Sequence, residues 1–133
     1  MKPSKIENAM KESTIQSELI KWASQLSVVY PELELINASL NGIVTTAKIK
    51  NMMKGQGMKK GYPDIFLPVS RTVNGVLSHG LFIELKQEDG RPTKEQLWWN
   101  ERLNAEGYMA LFCYSLGDAK KIICNYLKIS VDR

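Results

Sequence analysis

An aspartate at the head of one apolar run and a glutamate–lysine pair inside another are the residues of this chain best suited to chemistry. They are Asp64, before IFLPV, and Glu84-x-Lys86, within LFIELK. Side chains alternate along a strand, so Glu84, Lys86 and Phe82 share one face and Leu81, Ile83 and Leu85 the other. A carboxylate and an ammonium on a half-buried face cost free energy unless something compensates them. If the two runs pair as strands in the right register, Asp64 comes beside Glu84. Two acids held together repel, and a divalent cation relieves the repulsion. The chemistry suggested is metal-assisted phosphodiester hydrolysis, with oxygen ligands suited to Mg²⁺ or Mn²⁺. The cation polarises a phosphoryl oxygen and acidifies a water, while Lys86 orients that water or stabilises developing charge. On the ExK spacing alone, an ion pair of Glu84 with Lys86 or Lys60 is the competing reading. The Pro63-Asp64 turn ahead of the partner strand tips the balance toward a site.

A third acid is available from the N-terminal segment. Ile15, Leu19, Trp22, Ala23 and Leu26 recur at the spacing of an amphipathic helix. Glu12 lies about 40° from the centre of that stripe and Glu18 about 80° away on the opposite side. Glu12 thus points more nearly toward a cleft, provided the helix starts early enough to include it; an acid favoured by the helix dipole explains it equally well. Gln96 completes a Thr93-x-x-Gln96 capping box and is also placed to face a metal or a phosphate from the first turn of a helix. Trp98 and Trp99 point about 100° apart, so one suits the core and the other stacking on a base or an interface.

Positioning these groups requires an α/β domain with a mixed sheet flanked by helices, in the order α β α β β α β α. The expected elements are a helix over 13–27, a strand over 33–38, a turn at Asn41-Gly42 and a helix over 43–54. A strand from Asp64 then leads into a hairpin connection turning at Asn74-Gly75. A strand over 81–86, a helix capped by Thr93 and stopped at Gly107, a strand over 108–114 and a helix over 116–127 complete the chain. The strand–helix–strand segment makes its two strands parallel. Residues 1–10 are expected to be a loose start, with 1–133 a single domain.

Composition bounds the rest. The chain has 133 residues, 44% hydrophobic and 24% charged, the balance of a globular domain. It contains no apolar run long enough to span a membrane and no signal-peptide pattern, so a cytoplasmic protein is expected. The net charge of +4 permits a polyanionic partner. Between Lys48 and Lys60 lie five lysines and no acid, with Gly55 and Gly57 among them and Gly61 just beyond. A charge run is usually a solvated face, but the glycines among these lysines suggest a loop that approaches phosphate. Cys113 and Cys124 sit in apolar surroundings, and His79 alone cannot complete a thiol-based zinc site.

The segments GxGMKKGYPDIFLP and LFIELKQEDGRPTKEQLWWNERLNAEGYMALFCYS resemble the VRR-NUC (virus-type replication-repair nuclease) domain of the PD-(D/E)xK nuclease superfamily. The resemblance implies a restriction-endonuclease-like core. It makes Asp64, Glu84 and the Leu85 carbonyl metal ligands, Lys86 the catalytic lysine and Gln96 the helix glutamine. Glu12, in the run Glu12-x-x-x-Gln16, matches the N-terminal acid and is implied as a further metal ligand, with Glu18 as the competing alignment. Lys54, Lys59, Lys60, Asn41 and Gln16 are the expected nucleic-acid contacts. Stand-alone members, as in phage and prophage proteins, are similar to Holliday-junction resolvases. The implied function is a homodimeric, Mg²⁺- or Mn²⁺-dependent endonuclease for branched DNA. The alternatives are a non-catalytic DNA-binding module of the same fold, or a nuclease for flaps, nicks or plain duplex.

Overall fold

A computed structural model describes residues 5–39 and 46–131, with side chains from residue 11 onward. The N-terminal helix α1 spans Lys5–Leu26, starting well before the expected 13 and including Glu12. Its apolar stripe behaves as the spacing predicts: Leu19 and Ala23 are fully buried, with Ile15, Trp22 and Leu26 packed partly against the same core. The run over 33–38 departs from expectation. Pro31–Leu35 forms a 3₁₀ turn, and the strand β1 is confined to Asn37–Ala38. Pro31 opens that turn because its fixed φ suits a helical start and it has no N–H for a strand ladder. The turn buries Leu33 and leaves Glu32 to pair with Arg71 at 2.8 Å.

Helix α2 covers Ala47–Gly55, capped by the Thr46 hydroxyl, which accepts from the Ile49 N–H at 3.2 Å. Asn41-Gly42 and the expected first residues of this helix lie outside the described residues. Strand β2 (Ile65–Leu67) is followed by β3 (Arg71–Val73) and β4 (Val76–Ser78). These two form a separate ribbon around Asn74-Gly75, both at positive φ. The connection is thus a hairpin in its own right, and the element order gains two strands over the expected one. Strand β5 (Leu81–Leu85), helix α3 (Lys94–Ala105), strand β6 (Met109–Cys113) and helix α4 (Leu116–Leu127) complete the fold.

The main sheet has the order β1-β2-β5-β6. Strands β2 and β5 are antiparallel, with Ile65 opposite Ile83 and Phe66 opposite Phe82; β5 and β6 are parallel. One face carries Ile65, Leu67, Leu81, Ile83 and Leu85 against α1 and α4. The other carries Phe66 stacked on Phe82 at 4.1 Å, with Tyr62 and Tyr108 edge-on to Phe82. The alternation that fills the first face with aliphatics leaves Glu84 at the end of the second.

Candidate active site

The register that opposes Phe66 to Phe82 and Ile65 to Ile83, carried one residue further, brings Asp64 opposite Glu84. Both acids are buried, Glu84 to 6% exposure. The Leu85 backbone N–H donates to Asp64 Oδ2 at 2.7 Å, fixing the aspartate across the strand pair. Glu84 Oε2 accepts from Gln96 Nε2 at 3.1 Å. Glu84 Oε1 is buried with no hydrogen-bond partner. Burial, and then the charge of Asp64 beside it, pushes the Glu84 carboxyl up to about 10. Burial also raises Asp64, offset by its contacts with Glu84, the Leu85 N–H and Lys86. Both shifts favour a proton held between the two carboxyls.

Lys86 extends the pleat beyond β5: its N–H donates to the Cys113 carbonyl at 2.8 Å. Its side chain, 7% exposed, lies in the field of Asp64, Glu84 and Glu12. Among the described residues the ion pair at contact distance is Arg71–Glu32, so Glu84 is not tied to Lys86 or Lys60 in the way the competing reading required.

Glu12 reaches this end of the sheet from α1. Its carboxyl accepts from the Gln87 backbone N–H and is raised chiefly by burial, with Lys86 lowering it and Asp64 raising it. Glu18, one and a half turns on, is exposed, so α1 brings Glu12 and not Glu18 to the acids. Among the described residues no three His, Cys, Asp or Glu side chains converge into a ready-made cation cage. The close acids are a pair, with Glu12 coupled to them through charge.

Gln96 forms the expected capping box and also reaches Glu84. Its N–H donates to the Thr93 hydroxyl oxygen as cap at 3.1 Å, and its Oε1 accepts from the Thr93 N–H at 2.9 Å. Because that N–H can only donate, the amide's remaining group toward Glu84 is its NH₂. Gln96 therefore meets a ligand candidate rather than a cation or phosphate directly.

The lysine loop runs beside this centre. Lys54, Lys59 and Lys60 are exposed, and Gln16 is half-buried on α1; Asn41 lies outside the described residues. Gly61, at φ +85°, packs so closely on α3 that a Cβ there would sit 2.7 Å from Glu95 Cβ. Trp99 Nε1 donates to the Lys60 carbonyl at 3.1 Å and its ring meets Tyr62 edge-on. Trp98 is the exposed indole. These ties between the loop and α3 were not legible in the sequence. Cys113 and Cys124 are free thiols, both raised by burial, Cys113 to about 11. The His79 ring packs on Gly107 and edge-on to Tyr108.

No protein-family model matches the chain, and no curated protein matches it significantly. A solved structure described as a VRR_NUC domain protein is similar to it at 27% identity, with a TM-score of 0.66, covering 90% of this chain and 89% of that one. That likeness supports a nuclease-type VRR-NUC domain with the mixed, helix-flanked sheet of a restriction-endonuclease-like fold. No helix among the described residues is long and apolar enough to cross a membrane.

Proposed function

We propose that this VRR-NUC-type domain is a divalent-metal-dependent endonuclease that hydrolyses phosphodiester bonds in DNA. The observation that carries the reading is the buried Asp64–Glu84 pair with Glu84 Oε1 unpartnered. A buried carboxylate oxygen without a hydrogen-bond partner, beside a second acid, costs free energy that Gln96 and the nearby Lys86 offset only in part. A hard cation supplies that offset, and oxygen donors match Mg²⁺ or Mn²⁺. Asp64, Glu84 and the Leu85 carbonyl would hold it, with Glu12 acting nearby. When bound, such an ion supplies Lewis-acid polarisation of the phosphate and acidification of water.

The chain's own groups do the rest. Lys86, buried beside the acids, stabilises negative charge gathering on the phosphate and orients the attacking water. Gln96 holds Glu84 by one oxygen and leaves the other free. Lys54, Lys59 and Lys60, with Gln16 and Asn41, contact the DNA backbone, which makes binding salt-dependent. Branched DNA is the proposed substrate and a homodimer the proposed form, because a twofold pair of sites suits two strands of opposite polarity.

The test incubates the protein with a labelled four-way junction and a matched duplex in Mg²⁺, Mn²⁺ or EDTA, beside Glu84→Ala and Lys86→Ala. Metal-dependent cutting lost in both variants, with folding and DNA binding retained, is the expected result. Cutting of duplex as well as junction discards the branch preference. Binding without cutting in any metal supports a non-catalytic DNA-binding module.

A further inference from the structure

An open cavity of about 600 Å³ lies on the outer side of α3, lined by Lys59, Lys60, Lys94, Glu95, Trp98 and Trp99. Its size is in the range of small-ligand sites. Three of its six residues are lysines. The single acid is Glu95, whose Cβ packs against Gly61. Trp98 is 53% exposed although it could bury more area than almost any other side chain. The ring is nevertheless held: Arg102 lies 5.6 Å from its centroid, and Trp99 meets it edge-on at 5.2 Å. A restrained, solvent-facing indole among cations matches a base with its phosphate. It does not match an apolar peptide, which would leave the ammonium groups desolvated, or an acidic one, which would leave the ring unused.

The cavity is also tied mechanically to the acids. The Trp99 indole bonds the Lys60 carbonyl, four residues before Asp64. Gln96, adjoining Glu95, bonds Glu84.

We propose that this cavity is a subsite for one unpaired nucleotide, its base stacked on Trp98 and its phosphate held by Lys59, Lys60 and Lys94. A base inside a duplex has both faces covered by its neighbours, so stacking on a side chain selects an unpaired one. The proposal rests on the nucleic-acid reading above and narrows it: the substrate carries an unpaired nucleotide beside the bond to be cut.

The test is equilibrium binding by fluorescence anisotropy in EDTA, which reads no cleavage, so this subsite and the nuclease activity can fail independently. The probes are a labelled oligothymidylate of roughly eight nucleotides, its abasic counterpart and a hairpin duplex. Trp98→Ala should weaken oligothymidylate binding about tenfold or more while leaving the abasic strand and the duplex unchanged. Trp98→Phe should recover most of the loss. Lys94→Ala should weaken oligothymidylate and abasic strand alike. An equal loss on all three probes with Trp98→Ala, or no loss on oligothymidylate, overturns the stacking assignment. No loss with Lys94→Ala overturns the phosphate assignment, and absence of oligothymidylate binding by the parent protein overturns the whole.

Discussion

Gln96 donates to Glu84 Oε2 at 3.1 Å with the same side chain whose oxygen accepts from the Thr93 N–H at 2.9 Å. The cap of α3 and the orientation of a buried acid are thus one structure. Substituting Thr93 by Ala removes the hydroxyl cap and should cost about 0.5–2 kcal/mol in urea unfolding. The Thr93 N–H survives and still aligns Gln96, so cleavage should fall little. Gln96→Ala should destabilise by about 1–3 kcal/mol, because it leaves a buried acceptor unpaired, and should lower cleavage well beyond Thr93→Ala. Equal cleavage by the two variants would reduce Gln96 to a cap.

The shared proton has a thermodynamic signature. The Glu84 carboxyl rises from 4.5 to about 10 on folding, mainly by burial. Between those values the folded state keeps a proton that the unfolded chain has lost. In EDTA, stability should therefore fall as pH rises through neutral toward alkaline. Glu84→Gln should flatten this dependence in thermal unfolding. Mg²⁺ should raise the parent's midpoint through binding to the folded form alone, and Glu84→Gln should lose that response. A parental pH slope in Glu84→Gln would place the proton elsewhere.

Lys59 and Lys60 are exposed on the loop leading to Asp64. Replacing both by Ala should weaken DNA binding similarly across sequences. The log–log salt dependence should flatten by about one unit per lost phosphate contact. A titration over NaCl concentration checks this, and an unchanged slope would mean that neither lysine touches phosphate.

Gly61 and Gly57 both have positive φ, at +85° and +102°. A Cβ at Gly57 meets nothing within 4 Å, so Gly57→Ala should cost only the backbone term, about 1 kcal/mol. At Gly61 the added carbon would lie 2.8 Å from the Glu95 carbonyl carbon and 2.9 Å from the Gln96 nitrogen. Backbone cannot swing aside as a side-chain tip can, so Gly61→Ala should cost about 1–3 kcal/mol more. It should also lower cleavage by displacing the start of α3 and with it Gln96. Urea midpoints that rank the two variants the other way would contradict the close packing.

How much was legible beforehand depends on how far each signal reaches along the chain. Thr93, Gln96 and Gly107 mark α3 because capping and the left-handed stop act within a few residues. Helix α4 runs over the expected Leu116–Leu127, and the Asn74-Gly75 turn holds for the same reason. Strand alternation set Glu84 and Lys86 on one face without knowledge of any neighbour. The run over 33–38 misled because its apolar spacing suits a strand, whereas Pro31 and the burial of Leu33 favour a 3₁₀ turn. The β3–β4 ribbon likewise depends on which residues pair across the turn.

The sequence by itself therefore determined which acids and which lysine are available, and which element carries each. Only the tertiary structure decided that Asp64 stands opposite Glu84, since antiparallel register is set by long-range pairing. It placed Glu12, and not the exposed Glu18, near the acid pair because α1 begins at Lys5 and docks its Leu19–Ala23 stripe on the core. It left Trp98 in solvent because Trp99 is drawn to the Lys60 carbonyl. These outcomes turn on contacts between residues tens of positions apart, formed only when the elements pack, and no local propensity encodes them.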